Sequence, residues 1–132
     1  MNTNLILASG SGIRAKLLRN ANVGFEVFPA RVDEEMIKQS LEAEQAKPRD
    51  IADTLAEMKA RKVSEKFPGA LVLGCDQVLD HGGKVLSKPE TPDAAVKQLQ
   101  MLRGGRHMLL SAAVIVENGK PIWRHVGQVR ML

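Results

Sequence analysis

The sequence of 132 residues has little cysteine and few long apolar runs, and both shortages exclude classes of protein. Cys75 is the one cysteine, so the chain forms no internal disulfide and has no C-x-x-C pair for a zinc site. No run of about 18 consecutive apolar residues is present, and the apolar run near the amino terminus is too short for a signal peptide. We therefore expect a cytoplasmic protein without a membrane-spanning segment.

Aromatic residues are also scarce, with three phenylalanines, one tryptophan and no tyrosine. Because none of them lies in a basic cluster, the chain lacks the stacking surfaces that bind single-stranded nucleic acid. The formal net charge of +4 nevertheless favours negatively charged partners. We expect a nucleotide as ligand and no specific nucleic-acid partner.

Apolar periodicity and turn residues predict that strands and helices alternate along the chain. We predict strands at residues 4–8, 25–29, 70–79, 84–88, 107–117 and 122–132, and helices that begin near residues 13 and 33 or span residues 48–66 and 92–102. The near-continuous apolar run of residues 70–79 is typical of a strand covered on both faces. The pattern predicts a single α/β domain, residues 1–132, built on a mixed sheet.

The first strand leads into a loop of small and hydroxyl-bearing residues that includes Ser9 and Ser11 and is followed by Arg14. Such a loop can bind phosphate, because glycine lets backbone amides approach an anion and the following helix presents its positive end. The alternative is a plain turn in which a serine caps the helix. The loop sequence therefore leaves both interpretations open.

A dinucleotide-binding motif also fits the same loop. Gly10, Gly12 and Ala15 satisfy G-x-G-x-x-[GA], and Asp33 follows at about the spacing that such folds require for ribose binding. Pro29 argues against this interpretation, because an interior strand of a parallel sheet does not accommodate proline. A nucleotide-cofactor oxidoreductase is therefore the second hypothesis.

Asp76 interrupts an apolar strand, and an ionised carboxylate in that position is costly unless it is paired or bound to metal. If Asp33 and Glu34 meet Asp76, the oxygen cluster suits Mg²⁺. Otherwise these two acids face water at a helix start, and Asp76 is bonded to backbone amides or to a lysine. Lys59 and Lys88 are candidate phosphate ligands or, singly, solvated surface charges.

Five segments occur in a characteristic order: LILASxSxxR at residues 5–14, VDE at 32–34, LAxxKA at 55–60, GCDQV at 74–78 and SKPET at 87–91. Together they resemble the Maf family of nucleoside triphosphate pyrophosphatases, relatives of the inosine triphosphate pyrophosphatases. The resemblance implies a mixed twisted sheet flanked by helices, and hydrolysis of a nucleotide to its monophosphate and pyrophosphate with Mg²⁺ or Mn²⁺. Family members continue past residue 132, so we expect the fold to be incomplete at its C-terminal end.

The resemblance also implies roles for individual residues. Asp76 takes the position of the proton acceptor, and Glu34 and Asp76 take those of metal ligands. Ile13 and Gln77 match positions tied to base choice, and the D-Q pair resembles the branch associated with methylated guanine nucleotides. The residues implied in phosphate binding are Ser9, Ser11, Arg14, Lys59 and Lys88.

The chain departs from the family pattern in the loop, where Gly12 and Ile13 replace a proline and an arginine. Phosphate affinity or specificity is therefore expected to differ. A fragment that binds nucleotides without turning them over is a further hypothesis. The last predicted strand is an open edge that could pair with a second copy of the chain, which would give a homodimer.

Overall fold

The computed structural model describes residues 5–9, 16, 19–20, 24–82, 84–86, 91–102 and 107–131. In this part of the chain the strands are β1 (Leu5–Leu7), β2 (Glu26–Val27), β3 (Leu71–His81), β4 (Lys84–Leu86), β5 (His107–Glu117) and β6 (Lys120–Met131). The helices are α1 (Glu34–Ala43), α2 (Pro48–Ser64) and α3 (Pro92–Leu102). The predicted α/β architecture is confirmed.

The strands form one mixed sheet in the order β2-β1-β3-β5-β6, with β4 also paired to β3. Strand β1 runs parallel to β2 and β3, whereas β3 pairs antiparallel with β4 and β5, and β5 with β6. The predicted turn at Asn118 and Gly119 joins β5 to β6, and both residues have positive φ angles, 51° and 77°. Positive φ at two successive residues matches the right-handed twist of a hairpin.

Capping residues set the starts of the helices. The Asp33 carboxylate accepts a hydrogen bond from the Met36 amide at 3.1 Å, and the Thr91 hydroxyl accepts one from the Ala94 amide at the same distance. Pro48 opens α2 at a position where its missing amide hydrogen costs no helical bond. Helix α2 was predicted to reach residue 66, and it ends at Ser64.

The hydrophobic core lies between α2 and one face of the sheet. Alternate residues of β3 and β5, among them Val72 and Val114, are fully buried against Ile51 and Leu55 of α2. The other face of β3 is only half-buried in the described part of the chain. The prediction that both faces of this strand are covered therefore holds for one face only.

The dinucleotide-binding interpretation does not fit this fold. Asp33 caps α1 instead of standing at the end of β2, so its carboxylate does not occupy the ribose-binding position. Strand β3 pairs antiparallel with β5, which departs from the parallel sheet of that fold. The residues of the glycine motif, Gly10 to Ala15, lie outside the described residues. Among the described residues, no helix is both long and apolar enough to cross a membrane.

Candidate functional site

Three charged side chains from different elements meet at one point, and we call Glu34, Lys59 and Asp76 the carboxylate–lysine cluster. The Lys59 Nζ atom lies 2.6 Å from Glu34 Oε1 and 2.9 Å from Asp76 Oδ1. It also lies 3.4 Å from the Cys75 carbonyl oxygen, to which it donates a third hydrogen bond. All three donors of the ammonium group therefore have acceptors.

Close packing of α2 on β3 brings Lys59 to Asp76. A Cβ atom built on Gly74 would stand 2.1 Å from the Ala56 carbonyl oxygen, so only glycine lets the helix backbone lie this near the strand. Ala56 and Ala60 present small side chains to the same strand and are fully buried. Glu34 comes from the first turn of α1, at the place set by the Asp33 cap.

Ser9 lies at nearly the same level as Asp76 along the direction of β3. Leu7 of β1 pairs with Leu73 of β3 in parallel register, and Ser9 and Cys75 each follow that pair by two residues. Ser9 is buried, with 6% of its surface exposed. Strand β1 ends at Leu7, so Ser9 and the cluster lie just past its carboxyl end, where α/β folds bind ligands, whereas β3 continues beyond Asp76 to His81.

The cluster combines strong burial with opposite charges. Asp76 is 5% exposed and Lys59 is 9% exposed. Burial raises the pKa of the Asp76 carboxyl above its usual value, although the Lys59 ammonium opposes this effect. Burial alone would lower the pKa of Lys59, but its hydrogen bonds to Glu34 and Asp76 together outweigh this effect, so its pKa is raised. Lys59 is therefore a fixed cation, and Asp76 is a stronger base than an ordinary aspartate.

The carboxylate oxygens of the cluster suit a hard divalent cation whose other ligands are water and substrate phosphates. Asp76 Oδ2 is buried and receives no hydrogen bond from the described residues. Two carboxylates and one ammonium leave a formal charge of −1 on the cluster. Among the described residues, no three His, Cys, Asp or Glu side chains form a metal-holding group. One or two carboxylates are, however, what Mg²⁺ uses when water and substrate phosphates complete its shell.

The other predicted site residues have different placements. Gln77 follows Asp76 on β3, so its side chain points to the opposite face of the sheet, where its amide donates to the Ser111 hydroxyl at 3.1 Å. The structure therefore does not bring Gln77 to the cluster, and its part in base choice stays a prediction. Ser11, Ile13, Arg14 and Lys88 lie outside the described residues, and their roles also stay predictions.

The sequence predicts a lysine as one possible partner of Asp76, but it does not identify Lys59 as that lysine or predict that Glu34 shares it. The ammonium group of Lys59 pairs with both carboxylates, and its expected role toward phosphate stays a prediction. The available signal was the spacing of Ala52, Ala56 and Ala60 on one helix face, which permits close approach to Gly74. That spacing indicates close packing but does not identify which charges the packing joins.

The sequence of this chain matches a known protein family. A sequence model described as Maf-like protein matches residues 4–131, nearly the whole chain. The chain belongs to the Maf family. The carboxylate–lysine cluster is therefore built from three segments, VDE, LAxxKA and GCDQV, that suggested this family in the sequence.

Two curated relatives show how far the Maf similarity extends. A protein of Ruegeria pomeroyi named nucleoside triphosphate pyrophosphatase is 66% identical over 99% of this chain and 66% of its own length. A protein of Mesorhizobium japonicum named 7-methyl-GTP pyrophosphatase is 49% identical over 96% of this chain and 64% of its own length. The chain thus spans just under two thirds of the length of these relatives.

Solved structures support the fold. A HAM1 protein from Coxiella burnetii superposes with a TM-score of 0.55 over 98% of this chain and 71% of that one, at 15% sequence identity. Similarity at this level of identity concerns the arrangement of the sheet and helices alone. It agrees with the expected relation between the Maf fold and the inosine triphosphate pyrophosphatase fold.

Proposed function

We propose that the chain hydrolyses a nucleoside triphosphate to the monophosphate and pyrophosphate, with the carboxylate–lysine cluster as its reaction centre. The observation that carries this proposal is the buried Lys59 held between Glu34 and Asp76 beside the carboxyl end of β1. Membership of the Maf family supports it, because the curated relatives described above are named for pyrophosphatase activity.

The proposed reaction is attack of water on the α-phosphorus. The water oxygen forms a bond to that phosphorus, the bond from the α-phosphorus to the bridging oxygen breaks, and pyrophosphate leaves with the bonding electrons. Asp76 accepts the proton of the water, and without a bound metal ion burial raises the pKa of its carboxyl above that of an exposed one. Lys59 keeps Asp76 oriented through the hydrogen bond at 2.9 Å.

Charge neutralisation supplies most of the remaining catalysis. Phosphoryl transfer requires cations around the developing charge, and we propose that Arg14, Lys59 and Lys88 provide them, with Ser9 and Ser11 as hydroxyl donors. Glu34 and Asp76 would hold Mg²⁺ or Mn²⁺, because the buried Asp76 Oδ2 atom lacks a partner among the described residues. Such an ion would polarise the phosphoryl oxygens and lower the pKa of water.

The substrate is proposed to be a nucleotide with a modified base. The 7-methyl-GTP pyrophosphatase name of the Mesorhizobium relative supports this class, as does the D-Q pair at Asp76 and Gln77. We place the reaction in the cytoplasm, since the single cysteine fits a reducing compartment. Base choice through Ile13 and Gln77 belongs to the same proposal.

Pyrophosphate release from a panel of nucleoside triphosphates, including 7-methyl-GTP, tests the proposal in the presence and absence of Mg²⁺. Asp76→Asn should abolish release while circular dichroism shows an unchanged fold, because Glu34 still pairs with Lys59. Lys97→Gln, which removes an exposed charge on α3, is the matched control and should keep full activity. An active Asp76→Asn protein would reject the role of Asp76. Binding without release by the unaltered chain would favour a nucleotide-binding fragment.

We also propose that the chain forms a homodimer through β6. Among the described residues this strand pairs on one side only, with β5. Its exposed residues include Ile122, Trp123 and Val129, with 57%, 50% and 60% of their surfaces accessible. The free side of this strand of 12 residues presents backbone donors and acceptors that a second copy satisfies by antiparallel pairing about a two-fold axis.

A further inference from the structure

A pocket of about 370 Å³ lies between the loop after β2 and the last turns of α2, and we call it the Phe28 pocket. Phe28, Ala30 and Val63 contribute its apolar lining. Arg31, Lys62 and Lys66 contribute three cations, and no acidic residue lines it. Its volume falls within the range of pockets that take small organic ligands. None of its lining residues belongs to the carboxylate–lysine cluster.

The cationic side of the Phe28 pocket is accessible to a ligand. The side chains of Arg31, Lys62 and Lys66 belong to exposed residues. Lys62 donates one hydrogen bond to the Arg31 carbonyl oxygen, which joins the loop to α2 and leaves two ammonium donors for other acceptors. Three cations without a lining carboxylate make this pocket attractive to an anion.

The negative end of α2 does not cancel this attraction. The carbonyl oxygens of Arg61, Val63 and Ser64 already accept hydrogen bonds from the amides of residues 65–67. These bonds reduce the exposed partial charge at the helix C-terminus, which would otherwise repel an anion. The C-terminus of α2 therefore opposes the three cationic side chains less than a helix end with free carbonyl groups would.

The apolar side of the pocket is suited to a ring. Phe28 contacts the edge of Phe67, with ring centroids 5.1 Å apart and planes at 75°. The Lys66 ammonium lies 5.0 Å from the centroid of the Phe28 ring. These two contacts hold the aromatic wall next to a cation, so a ligand with a flat apolar part and an anionic group matches both features.

We propose that the Phe28 pocket binds a nucleoside monophosphate, with its base on the apolar lining and its phosphate among Arg31, Lys62 and Lys66. The choice of a nucleotide over another aromatic phosphate rests on the proposed function, of which a monophosphate is the product. Lys62 follows Lys59 by three residues on α2, and residues at that spacing are neighbours on a helix surface, so the pocket adjoins the carboxylate–lysine cluster. The pocket is a second nucleotide-binding position beside the reaction centre.

Isothermal titration calorimetry of the whole chain with GMP, guanosine and inorganic phosphate, each in EDTA, tests the pocket without requiring turnover. GMP should bind more tightly than either of its parts. Lys62→Gln and Lys66→Gln should each weaken GMP binding by about 2- to 5-fold, the size expected for one exposed charged contact. Arg61→Gln removes the same charge from the neighbouring position on α2 and should leave the affinity unchanged. Lys62→Arg should restore it.

The same experiment separates this proposal from the proposed hydrolysis. Asp76→Asn should bind GMP as the unaltered chain does, and the Lys62 and Lys66 variants should keep the rate of pyrophosphate release. Loss of GMP affinity in those two variants supports the pocket even if the chain releases no pyrophosphate. Equal affinities for GMP and inorganic phosphate would overturn the proposal, as would unchanged GMP binding in both variants.

Discussion

At the scale of single residues, the cluster depends on Lys59 as the counter-ion of a buried carboxylate. Asp76 is 5% exposed, and its pKa is raised because burial disfavours its charged form. Lys59 is the only cation bonded to Asp76 among the described residues. Without it, the ionised carboxylate would lie next to Glu34 with no positive charge to balance it. Breaking a buried pair from one side is much more damaging than removing an exposed charge.

Lys59→Met should therefore lower the free energy of unfolding by about 3 kcal/mol at about pH 7, measured by urea denaturation. The loss should shrink toward acid pH. Because the pKa of Asp76 is raised in the folded state, the contribution of this carboxyl to the free energy of unfolding is fully present below its unfolded-state pKa of 3.8. That contribution is lost as the pH rises through the folded-state pKa and the buried carboxyl ionises. Lys97→Met on α3 is the control and should change stability by less than about 0.5 kcal/mol at either pH. A loss independent of pH would contradict the assignment to Asp76.

The sequence predicts that single residues such as Asp76 need a partner, but it does not predict which residues contact one another. Asp76 was recognisable because a charge within an apolar run needs a partner. The identity of that partner was not readable, because Lys59 is 17 residues away in sequence and belongs to another element. Only the packing of α2 on β3 determines which charges meet.

At the scale of elements, the fold around the site depends on the short distance between α2 and β3. Helix bounds and turns were predictable within two residues, since caps such as Asp33 and Thr91 act locally. The order of strands in the sheet was not predictable, because it follows from contacts between distant segments. Among the described glycines, Gly74 is the one whose added Cβ atom would lie nearest to another atom, the carbonyl oxygen of Ala56 on α2.

Gly74→Ala should reduce stability by about 3 kcal/mol, because the new methyl group would overlap the Ala56 carbonyl oxygen and force the helix away from the strand. The midpoint of urea denaturation measures this loss. Gly24→Ala is the matched control, since nothing lies within 4 Å of its added Cβ atom. If both variants unfold at the midpoint of the unaltered chain, close packing at Gly74 does not hold the cluster in place.

A second contact joins α2 to the edge strand β6. The Arg124 guanidinium of β6 lies 2.6 Å from both Asp53 Oδ2 and Glu57 Oε1. The Arg124 side chain is 45% exposed, so solvent and salt screen both of its ion pairs. Arg124→Gln should therefore cost about 1 kcal/mol of stability at low salt and less in about 1 M NaCl. Lys120→Gln, on the same strand, is the control. A loss that does not change with salt would exclude an electrostatic origin.

At the scale of the whole molecule, the sheet is open at both ends of the described order, β2 and β6. The two edges differ, because β2 has two residues whereas β6 has 12. A short edge offers few backbone groups to another chain, but a long one with exposed apolar side chains is a pairing surface. The sequence predicts β6 as an edge, and among the described residues it pairs with β5 alone.

The proposed homodimer can be tested by light scattering coupled to size-exclusion chromatography over a range of concentrations. The unaltered chain should shift toward the mass of two copies as its concentration rises. Val129→Lys should keep the mass of one copy, because a charge on the β6 edge opposes antiparallel pairing of two identical strands. Leu99→Lys makes the same exchange at a residue of α3 that is 67% exposed, and it should associate as the unaltered chain does. A single-copy mass for the unaltered chain at every concentration would show that β6 does not pair with itself, whereas equal association of both variants would place the interface elsewhere.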